Sequence, residues 1–214
     1  MNRRLVVLAA LVVASTVSVG LAILRNASAG NVDFWFLIWN LGLAWIPFLF
    51  ALGAYAYARR AGSTLAFGLG WLLFFPNAPY IVTDFVHLQP GSAVPFWYDA
   101  LTIGAFAAVG LALGFASLYL MQCVVSRRFG AAAGWRTVLA ACVLASIGIY
   151  LGRFVRANSW DVLTRPDWFA RLAHAWVLDP FGNPRLIAVT WAFTSLLTVG
   201  YAMVYRALAP RIER

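Results

Sequence analysis

Apolar runs of roughly 20 residues recur along this chain, about the length that a helix needs to cross a bilayer core. Six segments fit this description, at residues 5–24, 34–58, 64–82, 100–124, 136–152 and 186–208. The chain is 63% hydrophobic and 11% charged, whereas soluble domains are about 25% charged. The sequence therefore predicts an all-α bundle of six transmembrane spans, forming a single integral membrane domain over residues 1–214.

The net charge of +9 is arranged for a membrane and not for nucleic acid. Its arginines form short pairs beside the spans, at Arg3-Arg4, Arg59-Arg60 and Arg127-Arg128. Such pairs orient spans and contact anionic lipid headgroups, so both termini are predicted to be cytoplasmic and the bilayer is the predicted partner. Six of the seven acids then fall outside, at Asp33, Asp84, Asp99, Asp161, Asp167 and Asp179.

The N-terminal segment has two interpretations. Arg3-Arg4, an apolar run and Ala27-Ser28-Ala29 resemble a secretory signal and its cleavage site. However, the run 5–24 is longer than the 7–15 residues typical of a signal core, and Arg25 separates it from the cleavage site. A retained first span is the preferred interpretation.

The third span contains helix breakers where hydrocarbon-compatible residues would be expected. Pro76 and Pro79 flank Asn77, and Asp84 and His87 follow at the outer end. Polar groups at membrane depth persist where they face protein or a water-filled cavity. Two interpretations stay open. In one, the helix breaks near Pro76, so that Asn77 caps a second short helix; in the other, a proline kink leaves carbonyls that Asn77 satisfies.

The fifth span ends in two arginines, Arg153 and Arg156, which share a face of a regular helix. Arginines at an outer helix end oppose the positive-inside trend, so something should compensate for them. Salt bridges to Asp84, Asp99 or Asp161 would do so structurally. A phosphate or carboxylate group, which the guanidinium fork matches, would do so functionally.

These positions together predict an outward-facing polar pocket that takes a small anionic solute or a lipid headgroup. Its predicted lining is Asn77, Tyr80, Asp84, His87, Asp99, Arg153, Arg156, Asn158 and Asp161. Asp84 and His87 are three residues apart, and a structural hydrogen bond that fixes the imidazole is the preferred interpretation. Acid–base catalysis, for which these two are the candidate residues, and metal ligation are the alternatives. No spacing typical of a metal site is present, Cys123 and Cys142 are predicted to be free thiols, and no cofactor is indicated.

Two further patterns concern packing. Gly110 and Gly114, and likewise Gly148 and Gly152, are four residues apart, a spacing that lets helix backbones approach closely in lipid. In the last outer loop, Thr164 to Asp167 fits a capping box. It begins a helix whose apolar face comprises Trp168, Phe169, Leu172 and Trp176. This helix is predicted to lie in the membrane interface as an anchor, with a lid over the pocket as the alternative.

Four stretches resemble one family of bacterial multi-pass membrane proteins classed as a domain of unknown function. They are residues 39–47 (WNLGLAWIP), 75–88 (FPNAPYIVTDFVHL), 95–99 (PFWYD) and 148–161 (GIYLGRFVRANSWD). The resemblance covers the chain from about Phe34 to Trp160. It implies a bacterial cell membrane location and brings no activity, substrate or catalytic residue.

Three functions are compatible with these features. Binding or transport of an anionic solute or lipid through the outer pocket is ranked first. A membrane enzyme acting on lipid or cell-envelope substrates is the first alternative, although no recognised catalytic motif supports it. A structural subunit, whose outer polar cluster is a salt-bridge network, is the second.

Overall fold

The computed structural model describes residues 3–89, 91, 94–179 and 181–212, and within these it is helical without strands. The α-helices are α1 (Arg3–Ala29), α2 (Trp35–Ala56), α3 (Ala61–Phe74), α4 (Asn77–Tyr80), α5 (Phe96–Phe129), α6 (Ala131–Tyr150), α7 (Asp161–Thr164), α8 (Pro166–Leu178) and α9 (Pro184–Ile212). A 3₁₀ helix (Ile81–His87) follows α4, and a π-helical turn (Leu151–Val155) follows α6.

Six helical segments are long and apolar enough to cross a membrane. They are Leu5–Ala29, Trp35–Ala56, Ala61–His87, Phe96–Phe129, Ala131–Val155 and Pro184–Ala207. The predicted all-α bundle of six spans is thus confirmed. Most observed helices extend beyond the predicted bounds, because charged residues end a hydrophobic run without ending the helix. The fourth span shows this best: α5 has 34 residues and includes Asp99 and Arg127.

The core lies around α5, the most buried of the spans, and α9 is the least buried. Helix α2 packs against α5 and α3, while α6 packs against α5 and α9. One buried cluster includes Leu37, Ile103 and Phe106. The other includes Trp71 and Tyr201. The third span therefore lies between α2, α5 and α6.

Both glycine pairs pack closely against the proline-containing part of the third span. This is the close helix contact that their spacing predicted. A Cβ on Gly110 would lie 2.7 Å from the carbonyl oxygen of Ala78. On the other side, a Cβ on Gly148 would lie 2.7 Å from the ring of Pro76. These contacts leave no room for a methyl group. Glycine at these positions therefore allows α5 and α6 to pack directly against this segment.

The third span continues through Pro76 in helical geometry without a true break, so the predicted Asn77 cap is wrong. Pro76, at the position before α4, keeps right-handed helical geometry and no side chain caps the helix. The Ala78 amide donates to Phe75 (3.2 Å) instead of to Phe74. The Asn77 side chain fills that gap by donating to the Phe74 carbonyl (3.1 Å). Asn77 thus has the alternative role considered above: its side chain donates to a carbonyl that the prolines leave without a backbone donor.

Helix α8 has the predicted apolar face but a different start. Trp168, Phe169, Leu172 and Trp176 are half-buried along one side. The predicted capping box is wrong, since Arg165 precedes the helix and no side chain caps it. The Thr164 hydroxyl instead donates to the carbonyl of Trp160 (3.4 Å), because residues 161–164 form α7. The position of α8 in the membrane interface remains a prediction.

Candidate functional site

An ion pair between the buried Asp84 and the half-buried Arg153 links the third span to the π-helical turn after α6. Asp84 is 1% exposed and accepts a 2.7 Å hydrogen bond from Arg153 Nη2 on one oxygen. Its other oxygen accepts from Asn40 Nδ2 of α2 at 2.9 Å. Arg153 also donates to the Thr83 hydroxyl through Nε (3.0 Å) and Nη2 (2.7 Å). Both oxygens of Asp84 therefore have partners, as a buried carboxylate requires.

The second catalytic candidate, His87, contacts Arg153 as well. Arg153 Nη1 lies 3.3 Å from His87 Nε2. Since arginine can only donate, Nε2 is the acceptor in this contact. The exposed ring also packs against Phe36, at 4.6 Å between centroids. Within the described residues no hydrogen bond joins Asp84 to His87, so both face Arg153, and their acid–base role stays a hypothesis.

The two arginines at the end of the fifth span have different surroundings. The π-helical turn ends at Arg156, whose φ of 61° is in the left-handed region. It is the one non-glycine with positive φ among the described residues. A left-handed residue commonly ends a helix, and here the backbone N–H of Arg156 donates to the Leu151 carbonyl. Arg156 is exposed and has no hydrogen-bond or ion-pair partner within the described chain.

The loop that follows is fixed by local bonds. The backbone N–H of Asn158 donates to Asp161 Oδ2 at 2.7 Å, and its side chain lies 3.4 Å from the same oxygen. The Ser159 hydroxyl accepts from Asn77 Nδ2 at 3.0 Å, which ties the loop to the third span. Asp161 thus stabilises the turn before α7, and Asn77 connects two walls of the site.

A cavity of about 640 Å³ lies between α2, α3, α6 and this loop. One part of its lining is polar: Asn40, Asn77, Tyr80, Arg156, Asn158 and Ser159. The rest is largely apolar: Trp39, Leu43, Leu69, Leu72, Leu73, Pro76, Leu144, Ile147, Gly148, Leu151, Gly152, Ala157, Trp160, Val162 and Phe169. Phe169 brings α8 to the cavity, which favours the lid alternative for that helix.

Four of the nine predicted pocket residues line this cavity: Asn77, Tyr80, Arg156 and Asn158. The Asp84–Arg153 pair lies behind the wall. Asn40 lines the cavity and donates to Asp84, and the Tyr80 ring lies 5.0 Å from the guanidinium carbon of Arg153. The ion pair therefore supports the wall and does not itself form the cavity surface.

Asp99 lies in a different place from the predicted pocket, in a second buried ion pair. Arg25 of α1 donates to its two oxygens at 2.8 and 3.4 Å. Arg25 is 3% exposed and also donates to Asn31 (2.7 Å), while its guanidinium carbon lies 4.0 Å above the Phe34 ring. Asp99 flanks a span on the same predicted side as the pocket residues, but this position in the sequence does not indicate its neighbours across the bundle.

Sequence reasoning missed Asn40, Ser159 and the apolar walls of the cavity. Asn40 was a detectable signal, since a lone amide in an apolar span usually faces protein. The wall leucines gave none, because a leucine in a span fits a core, a lipid face or a cavity equally well. No group of three His, Cys, Asp or Glu in the described chain is placed to hold a metal ion.

Comparison with known proteins identifies a family without assigning an activity. No curated protein and no solved structure matches the chain. The family described as "protein of unknown function (DUF1361)" matches residues 39–200, well over half of the chain. This range contains the third span, the π-helical turn and every cavity residue named above. The chain therefore belongs to the DUF1361 family of proteins of unknown function, which confirms the resemblance.

Proposed function

We propose that this protein binds a phosphate group at the polar end of its intramembrane cavity. The observation that carries the proposal is Arg156, an exposed cation with no partner among the described residues, on the lining of a cavity between spans. An arginine guanidinium presents several donors in a rigid fork that matches phosphate oxygens.

The surroundings of Arg156 favour an external anion over an internal partner. Of the nearby acids, Asp84 is bound by Arg153 and Asn40, and Asp161 accepts from Asn158. Arg156 ends the helical turn that carries Arg153, with its backbone in the left-handed region.

The same end of the cavity offers further polar groups. The hydroxyl-bearing side chains of Tyr80 and Ser159 line it together with Asn158. A phosphate has three or more oxygens that can accept from several such donors at once, whereas a carboxylate has two. A phosphate group is therefore the ligand chemistry that uses this lining most fully.

Binding takes precedence over the two other functions. An enzyme that uses Asp84 as a base would need substrate to reach a carboxylate that is 1% exposed. A structural subunit needs the Asp84–Arg153 pair but has no use for an unpaired Arg156 beside a cavity. Transport would use the same binding site and adds the requirement of access from both sides.

The test compares phosphate binding by the wild type with that by Arg156→Gln, in nanodiscs of phosphatidylcholine. The probes are inorganic phosphate and phosphatidic acid, read by native mass spectrometry and by equilibrium titration. We expect Arg156→Gln to bind both at least about tenfold more weakly, since a hydrogen bond to a charged group contributes about 1.5–3 kcal/mol. Arg171→Gln is the matched control, because Arg171 is also exposed but lies away from the cavity.

Two results would overturn the proposal. In one, the wild type binds neither probe above the level seen for an unrelated membrane protein. In the other, Arg156→Gln binds both as tightly as Arg171→Gln does. Thermal unfolding of each variant shows whether a loss of binding reflects the site or a loss of fold.

A further inference from the structure

We infer that the occupant of the cavity is a membrane lipid, whose phosphate is held at Arg156 and whose hydrocarbon chain lies along the apolar walls. The inference rests on the proposed phosphate site and adds the class of molecule that carries the phosphate. It depends on the shape of the cavity below Arg156, on the exposure of its walls, and on its depth.

The apolar part of the cavity is a groove between two spans. Its walls come from the third span (Leu69, Leu72, Leu73 and Pro76), from α6 and the start of the π-helical turn (Leu144, Ile147, Gly148 and Leu151) and from Leu43 of α2. These residues recur once per helical turn, so each wall is a continuous stripe and not an isolated patch. A free phosphate or a small metabolite would contact the polar end and leave both stripes uncovered.

The groove is as deep as one leaflet of a bilayer. From Leu69 to Tyr80 the third span advances eleven residues, or about 16 Å at 1.5 Å per residue. Half of a hydrocarbon core of about 30 Å is about 15 Å. For a lipid in the same leaflet, the phosphate lies at the depth of Arg156. Its hydrocarbon chain lies at the depth of the leucine stripes.

The groove also opens sideways, toward the space that lipid occupies around a membrane protein. Leu69 and Leu144, on its two facing edges, are 60% and 48% exposed. Gly148 and Gly152 face the third span, where an added Cβ would lie 2.7 Å from Pro76 and 2.9 Å from Tyr80, so the two spans are in close contact there. The volume of about 640 Å³ falls within the range of about 300–1,000 Å³ typical of ligand sites. A lipid can thus enter from the leaflet without crossing water.

The first experiment blocks the groove without touching the phosphate site. Leu144→Trp adds bulk at the groove edge, and Leu139→Trp adds the same bulk on the same helix at a residue that is 51% exposed and does not line the cavity. We expect Leu144→Trp to bind phosphatidic acid about tenfold more weakly, equivalent to about 1.4 kcal/mol of overpacking. Inorganic phosphate should bind Leu144→Trp and Leu139→Trp as it binds the wild type.

The second experiment locates the chain directly. A phosphatidic acid with a diazirine in the middle of one acyl chain is photolysed in nanodiscs with the wild type, and labelled peptides are mapped by mass spectrometry. We expect labelling at the half-buried groove residues Leu43, Leu73 and Ile147. Excess unlabelled phosphatidic acid should suppress it, whereas an equal excess of diacylglycerol, which has the same chains and no phosphate, should not.

The outcomes separate this inference from the proposed function. If Leu144→Trp binds phosphatidic acid normally and labelling is confined to exposed lipid-facing positions, the occupant is not a lipid in the groove. The phosphate site is then still decided by Arg156→Gln with inorganic phosphate. If Arg156→Gln changes nothing while the groove is labelled, the phosphate site is wrong and the groove takes its lipid by shape alone.

Discussion

Arg153 and Arg156 are three positions apart and carry the same charge, yet their surroundings differ completely. Arg153 donates to a carboxylate, a hydroxyl and an imidazole, and it connects elements that are about 70 residues apart in sequence. Arg156 has no such partner among the described residues and lines the cavity. The first is suited to holding the spans together and the second to holding a ligand.

Removal of Arg153 should destabilise the protein far more than removal of Arg156. We expect Arg153→Met to lower the free energy of unfolding by about 3 kcal/mol, because it leaves the carboxylate of Asp84 buried without its cation. Arg156→Gln should change it by less than about 0.5 kcal/mol, as is usual for exposed residues without partners. Thermal or denaturant unfolding in detergent would measure both.

A double variant tests whether the buried charge is the cause. Asp84→Asn removes the carboxylate's charge, so adding it to Arg153→Met should recover part of the lost stability. If Arg153→Met were as stable as Arg156→Gln, or if the second substitution made matters worse, the ion pair would not have the structural role given to it here.

The sequence predicted these residues better than their arrangement. A spacing of three puts two side chains on one face of a regular helix, so Arg153 and Arg156 were expected to act together. The π-helical turn and the left-handed residue at its end rotate them apart. Nothing in the pattern of hydrophobic and polar residues signals such a local change, so the distinct roles of the two arginines required the structure.

At the level of elements, the third span depends on the bare backbones on either side of it. Gly110 of α5 meets the backbone of Ala78, and Gly148 of α6 meets the ring of Pro76. In this packed segment, Asn77 and Tyr80 line the cavity. The glycine spacing predicted a close contact, but it did not identify the partner, since several spans could have supplied one.

A methyl group at Gly110 should therefore disturb the packing of α5 against the third span. We expect Gly110→Ala to lower the melting temperature, because its Cβ would lie 2.7 Å from the Ala78 carbonyl oxygen and the backbone cannot move aside cheaply. Overpacking of this kind costs about 1–3 kcal/mol. Differential scanning fluorimetry of the purified protein would measure the change.

Gly104→Ala is the matched control on the same helix. Its nearest contact would be the Phe85 ring at 3.7 Å, an ordinary van der Waals distance. Alanine favours helix more than glycine by about 1 kcal/mol, so this variant should be unchanged or more stable. Equal melting temperatures for the two variants would mean that the close contact at Gly110 carries no constraint.

Across the whole molecule, the fold class followed directly from the apolar runs, because few other structures satisfy backbone groups in lipid. The arrangement of the spans around α5 did not follow from the sequence, since the apolar composition of a helix does not specify which helices it packs against. Arg25 illustrates the limit. Its pairing with Asp99 joins α1 to α5, and it supports the retained first span, which remains a prediction.

The orientation with both termini cytoplasmic can be tested on the protein as a whole. After replacement of Cys123 and Cys142 by alanine, single cysteines are introduced at Phe181 and at Phe129, both highly exposed. We expect a membrane-impermeant maleimide to label Phe181→Cys in spheroplasts of a bacterial host. Phe129→Cys, beside the Arg127-Arg128 pair, should be labelled only after the membrane is permeabilised.

The reverse pattern of labelling would invert the molecule and place the polar end of the cavity on the cytoplasmic side. If both positions were labelled equally in sealed spheroplasts, they would lie on the same side of the membrane. This would contradict the single span between them. Either result would leave the contacts of Arg153 and Arg156 unchanged, since these do not depend on which side faces out.

The sideways opening between Leu69 and Leu144 determines how the site would be filled. A molecule that enters by this route arrives by diffusion within a two-dimensional leaflet, so its occupancy depends on its mole fraction among the surrounding lipids. Its concentration in bulk water matters little. Detergent that dilutes the native lipids during purification would empty such a site even if the intrinsic affinity were high. The composition of the bilayer is therefore a variable of the binding equilibrium and acts on the protein as a ligand concentration does.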